Sequence, residues 1–357
     1  MHPFLGYISV KEKEKGVLSV RYARPVSYKK GDKFFPYDIR REYVGIFIQR
    51  SEDIVLDKIN QYFNYGLGVA GQDSKNITIS NCSFAPEKDS PKMIASIADF
   101  LHFCMCRGTL NITDNFFQGA GDDCLNVHGV HFKVDEVRKN GKEIVVRFMH
   151  PQTHGFNPLR KDDDIEFINP KTLLTEGKAK IVSSEQLDEQ KILLVLDREQ
   201  DVKTSWCIED LNACANLNFL RNRMTRIITR GILVTTRGHV VIEGNFFDNT
   251  SMSSILFSDD AKSWYESGRV TDVVVRENEF NTCASGNNIQ LKPENAVHAG
   301  YVHSNVLIEN NIFNSPKKGG YGITIKSSDN VTIRKNKVLY PSQDFVKSRL
   351  SNVKVED

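Results

Sequence analysis

No stretch of this 357-residue chain is apolar for long enough to form a bilayer-spanning helix, which needs about 20 such residues. Met1-His-Pro-Phe4 lacks the basic, apolar, small-residue order of a secretory leader. Charge of one sign is also missing: 47 Lys and Arg face 45 Asp and Glu, a formal net charge of +2. That balance provides no field for polyanions, so neither nucleic acid nor membrane is expected as a partner. The seven cysteines are odd in number and form no C-x-x-C pair, which argues against a zinc site and a disulfide framework. Cys104-Met-Cys106 is too tight to bridge, and Cys82, Cys214 and Cys283 are expected to pack as small apolar groups. Nothing points to a nucleotide site, a P-loop or a Ser-His-Asp triad, and no cofactor is expected.

What the chain does have is a repeat. A pattern of apolar, any, apolar, polar, any, Asn or similar, any, apolar reads Ile77 to Phe84, Leu110-Asn-Ile-Thr-Asp-Asn-Phe-Phe117 and Leu217 to Met224. It returns at Val240-Val-Ile-Glu-Gly-Asn-Phe-Phe247, Val273 to Phe280, Val306 to Phe313 and Val331 to Val338, with a degenerate copy from Ile54. The starts are separated by 23, 33, 107, 23, 33, 33 and 25 residues. A second series runs just ahead of it: Ile46-Phe-Ile48, Leu101-His-Phe103, Leu125-Asn-Val127, Ile232-Leu-Val234, Ile255-Leu-Phe257, Ile289-Gln-Leu291 and Ile323-Thr-Ile325. Gly68-Val-Ala70 is a weaker member. Two strand series in fixed order imply a solenoid, and alternation within each triplet turns its outer residues inward. The fold expected is all-β: a right-handed parallel β-helix of about eight visible coils. A β-sandwich does not account for the recurring Asn-x-aromatic turn.

The 107-residue interval exceeds one coil by about 80 residues. Within it, 133–137, 143–148, 164–168, 179–182 and 191–196 alternate as strands, with Asn140-Gly141 as a hairpin turn. This predicts a small antiparallel β-barrel inserted over 130–210, between helix portions over 1–129 and 211–340, with a tail over 341–357. Lys11-Glu-Lys-Glu-Lys15 reads as a solvated turn. No cap precedes the first clear coil, and an open solenoid end is an exposed edge. The chain is therefore expected to be truncated at its N-terminus or partnered there, which leaves a homo-oligomer open.

The chemistry is concentrated at Asp99, Asp122 and Asp123. Asp99 lies 24 residues before Asp123 and His102 lies 24 before Asn126, so each pair should stack on neighbouring coils about 4.8 Å apart. His102, Asn126 and His128 share the outward parity. Strict alternation sends Asp122 outward and Asp123 inward, and a bend at Gly121 is needed to present both acids. Crowded acids cannot all ionise cheaply, which suits acid–base work at a glycosidic bond. Turn-forming aspartates and a calcium site are the competing readings. Arg230, two coil levels from Asp99, can bind a hydroxyl or hold an aspartate ionised. Trp264 can stack on a sugar face and Glu266 can bind hydroxyls. His150 and His154 read as loop residues of the insert.

Ala98-Asp-x-x-His-Phe103, Cys106-Arg-Gly108, Asp122-Asp-x-x-Asn-Val-His-Gly129, Arg230-Gly-Ile-Leu-Val-Thr-Thr236 and Asp260-Ala-Lys-Ser-Trp-Tyr-Glu-Ser-Gly268 together resemble glycoside hydrolase family 110. The resemblance runs from about Tyr22 to Asn336. It implies an exo-acting α-1,3-galactosidase that inverts the anomeric centre without a metal and acts on galactose-terminated glycans. A secreted or periplasmic location would follow. Asp122 matches the family's proton donor, and Asp99 and Asp123 the acids that activate water. Cys124-Leu125 departs from the smaller or more polar residues expected there. Other readings of the same helix are a polygalacturonase-like hydrolase, a calcium-dependent polysaccharide lyase, or a non-catalytic glycan-binding module.

Overall fold

The computed structural model describes residues 6–34, 41–314, 320–339 and 345–356. The chain divides into two units, Met1–Arg40 and Arg41–Asp357. Within the first, Tyr7–Glu14 pairs antiparallel with Val17–Tyr22. These residues form a hairpin rather than the helix portion expected of 1–129, because a tight turn at Lys15-Gly16 folds the second strand back antiparallel on the first. Lys11 to Glu14 accordingly lie in a strand, and the turn falls at Lys15-Gly16, where Gly16 takes a φ of 79°.

From Tyr43 onward the chain winds as a parallel β-helix with three sheets along its length. The first sheet runs from Tyr43–Gln49 to Val346–Arg349, and the second from Glu52–Asp57 to Val353–Glu356. The third runs from Asn60–Gln61 to Lys337–Val338. The two series read from the sequence are the first and second sheets. One member moves by a residue: Val69-Ala-Gly71, not Gly68-Val-Ala70, stands in register with Ile46-Phe-Ile48 and Leu101-His-Phe103. The shift matters because one residue of slip exchanges the two faces of a strand. Residues 341–357, expected as a tail, instead contribute Val346–Arg349 and Val353–Glu356 as a further coil.

The Asn-x-aromatic turn has a physical basis. Asn115, Asn222, Asn245, Asn278 and Asn311 are buried one above another. Each Oδ1 accepts from the backbone N–H of the preceding rung, as in Asn245 N to Asn278 Oδ1 at 2.9 Å and Asn278 N to Asn311 Oδ1 at 3.0 Å. Beside this ladder Phe247, Phe280 and Phe313 stack with centroids 5.0 and 4.8 Å apart. Replacing Asn278 by Ala orphans the buried N–H of Asn245 and the carbonyl of Ile242 that Asn278 Nδ2 serves. A loss of roughly 1–3 kcal/mol for each orphaned group is expected in urea unfolding.

The interrupting segment is a closed antiparallel barrel, in the order Phe132–Arg138, Glu143–Arg147, Lys191–Leu196, Leu174–Gln186, Asp164–Asn169, Cys207–Asp210. The last strand was not anticipated, since Cys-Ile-Glu-Asp has too little alternation to read. Asn140 and Gly141 take positive φ at the first hairpin, as their types predict. The barrel is fixed to the coil that carries the acids. Arg107, at the start of a second-sheet strand, donates to both oxygens of Asp163 at 3.0 and 2.7 Å and to Asp210 at 3.1 Å.

Candidate active site

Asp99 and Asp123 immediately precede first-sheet strands on consecutive coils, and Arg230 precedes the next. The register Leu101↔Leu125↔Ile232 therefore stacks them. The Asp123 amide donates to Asp99 Oδ1 at 3.1 Å. Asp123 Oδ1 accepts from Thr229 Oγ1 at 2.8 Å, Arg230 N at 3.1 Å and Arg230 Nε at 2.8 Å. The chain bends at Gly121-Asp122 as required. Gly121 is held there by packing: a Cβ would lie 2.3 Å from the Ile97 carbonyl oxygen. The bend leaves Asp122 half-buried, paired with Arg41 and 3.7 Å from Arg230 Nη2, while Asp99 and Asp123 are each only 2% exposed. Cys124 and Leu125, which departed from the family pattern, are buried in the core and do not line the cavity.

The three carboxylates differ in charge preference. Burial pushes Asp123 up to about 7 against the opposing charge of Arg230, with Asp122 and Asp99 pushing the same way. Asp122 is raised too, first by burial and then by Asp99, against Arg41 and Arg230. Asp99 moves the other way: burial would raise it, but the hydrogen bond and charge of His102 outweigh that and hold it below the ordinary range. Asp99 is thus the anion of the set, and the Asp122–Asp123 pair carries the labile proton.

The histidines account for the Asp99 charge. His102 Nδ1 is 2.7 Å from Asp99 Oδ2, His102 Nε2 is 3.0 Å from His128 Nε2, and His128 Nδ1 is 2.7 Å from the Gly129 carbonyl. Three hydrogen bonds need three protons, and two neutral imidazoles supply two. The third can sit on Asp99 or on the histidines, and the lowered Asp99 and raised His102 favour a carboxylate beside a singly charged histidine pair. Burial lowers His128, whereas Asp99 outweighs burial to raise His102, so the charge rests on His102.

A cavity of about 290 Å³ opens over these groups. Every residue singled out from the sequence lines it: Asp99, Asp122, Asp123, His102, Asn126, His128, Arg230, Trp264 and Glu266. Asn126 Nδ2 donates to Glu266 Oε1 at 3.0 Å, while Asn126 Oδ1 is buried without a partner among the described residues and can accept from a ligand hydroxyl. Glu266 reaches the site because Glu266–Ser267 pairs antiparallel with Gly129 and Val130. Sequence reasoning missed Arg41, Thr229 and His150. Thr229 was within reach, since the register that sets Arg230 on Asp123 sets Thr229 on Asp122. Arg41 had no signal. His150 lies in a loop as expected, but that loop lines the cavity.

Residues 143–203 match the GLAA-B beta-barrel domain II family, and residues 207–355 match the right-handed beta helix region family. The chain is 38% identical over 319 residues to alpha-1,3-galactosidase A of Bacteroides thetaiotaomicron, covering 88% of this chain and 56% of that protein. The chain is homologous to the α-1,3-galactosidases. The enzyme of that name from Akkermansia muciniphila is 32% identical, with 93% of this chain and 55% of that protein covered. That from Streptomyces avermitilis is 36% identical, over 80% and 49%. The chain thus spans about half the length of these α-1,3-galactosidases. The family resemblance read from its motifs holds, as does the right-handed β-helix with an inserted barrel.

Proposed function

We propose that this protein is an exo-acting glycoside hydrolase that removes terminal α-1,3-linked galactose from glycans with inversion. The observation that carries the reading is a small cavity lined by three carboxylates, Asp99, Asp122 and Asp123, each with an oxygen within 4.8 Å of the others. Its volume, about 290 Å³, is at the lower end for ligand pockets and suits one sugar ring rather than a continuous chain. Asp122, the most exposed of the three acids, donates the proton to the departing oxygen. Asp99 and Asp123 orient water and take its proton. His102 fixes Asp99 as an anion, and Asn126, Glu266 and Arg230 meet sugar hydroxyls. The barrel over 130–210 is a domain that walls the site.

One oxygen from each acid lies within 4.8 Å of the others, closer than the roughly 6.5–9.5 Å usual between the two acids of an inverting pair. That spacing is nearer the roughly 5–5.5 Å of a retaining pair, so inversion in this reading rests on the family resemblance and the first anomer released decides it. The same closeness would suit a divalent cation, but the guanidiniums of Arg41 and Arg230 already supply positive charge to the cluster. The test is incubation with α-1,3-linked galactobiose, followed by NMR. β-Galactose should appear first, at a rate that chelator does not change. Initial α-galactose would refute inversion. An unsaturated product from polygalacturonate, whose carboxylates permit elimination, would indicate a lyase, and binding of galactobiose without turnover a glycan-binding module.

A further inference from the structure

Trp264 is half exposed, at 50%, on a cavity whose acids are almost wholly buried. A large ring left at the rim is expected to move unless it is held, and this one is held from three sides. Both carboxylate oxygens of buried Asp260 gather the loop: Lys262 N donates at 2.7 Å, Ser263 N at 3.1 Å and Trp264 N at 2.7 Å. Two residues on, Glu266–Ser267 is pinned into the strand pairing beside the site. The ring itself rests on His150 of the inserted segment, with centroids 4.8 Å apart and planes 33° apart. Burial lowers the His150 pKa, so at neutral pH the supporting ring is an uncharged flat surface.

We propose that Trp264, backed by His150, is the platform for the second sugar of the substrate, the residue on the reducing side of the scissile bond. This rests on the glycosidase reading above. A terminal sugar engaged by the buried acids fills the floor, so the leaving sugar emerges at the rim, where it meets an aromatic face already fixed in place. The apolar face of a pyranose stacks on such a ring, and a platform that does not need ordering costs no binding entropy. The barrel insertion then has a role in selecting substrates: it supplies the support that turns a surface tryptophan into a rigid subsite.

The experiment compares kcat/KM for α-1,3-galactobiose with that for α-galactosyl fluoride, which has no second sugar. Trp264→Ala should lower the galactobiose-to-fluoride ratio roughly three- to tenfold, mainly through KM for galactobiose. His150→Ala should lower the same ratio less, and His150→Phe, which keeps a flat ring, should restore it. An unchanged ratio in Trp264→Ala overturns the proposal, whether both substrates suffer equally or neither does. A shift caused by Phe47→Ala instead would also overturn it, by moving the platform to the other exposed aromatic residue of the cavity lining. A wild-type protein inert on both substrates would defeat the underlying glycosidase reading and not the platform alone.

Discussion

Asp122→Asn should lower turnover of α-1,3-galactobiose by about 10²- to 10⁴-fold, the usual contribution of a general acid. The same variant should lose far less on α-galactosyl fluoride, because fluoride leaves without a proton. Asp99→Asn and Asp123→Asn should lose both activities, since either substrate still needs an activated water. The contrast rests on geometry: Asp122 is the half-buried acid facing the cavity, while the amide of Asp123 and His102 tie up both oxygens of Asp99. The pH profile follows with a definite sign. The donor must be protonated, and burial together with the Asp99 charge raises Asp122, so galactobiose turnover should persist above the ordinary carboxylate range and fall as pH rises past the raised Asp122 titration. Of the two acids that activate water, Asp99 is held low and stays ionised, so the acid limb should report Asp123, which is raised to about 7. Asp122→Asn acting on the fluoride should lose the alkaline limb. Equal losses on both substrates would remove Asp122 from the donor role.

The parts of this molecule legible in the sequence are those where one residue type has one physical job, repeated. The apolar triplets of the first and second sheets announce themselves because each coil needs the same two inward side chains. The Asn-x-aromatic turn does so because a buried amide ladder and a ring stack both tolerate few substitutes. Counting coil by coil brought Asp99, Asp123 and Arg230 together without coordinates. What escaped has no periodicity. Arg41 precedes the first coil and meets Asp122 only through the fold, and His150 reaches Trp264 through the path of an insertion. The hairpin at Tyr7–Tyr22 and the final coil were misread for the same reason, since neither carries the repeat that would place it.

Simple alternation cannot turn both Asp122 and Asp123 toward a ligand, so the site depends on the bend at Gly121, and Gly121→Ala should test it directly. The added Cβ would lie 2.3 Å from the Ile97 carbonyl oxygen, 2.5 Å from its carbon and 2.6 Å from the Ser96 carbonyl oxygen. All three atoms are backbone, so no side chain can rotate away and the two coils must separate. The segment pushed is the one that leads two residues later into Asp99, and the segment pushing carries Asp122 next in the chain. A displacement approaching 1 Å between these acids costs on the order of 10²-fold in rate. The same substitution should cost roughly 1–3 kcal/mol of stability, as overpacking commonly does, and the variant should keep its β-rich circular dichroism. Gly177→Ala in the barrel is the matched control: its Cβ would meet Phe167 at an ordinary 3.5 Å, and activity should be retained. If Gly121→Ala turns over galactobiose at the wild-type rate, the bend does not hold the acids in register and the assignment of Asp122 and Asp99 as partners fails. If the rate falls while galactose still binds, the close approach of the two coils sets the carboxylate spacing.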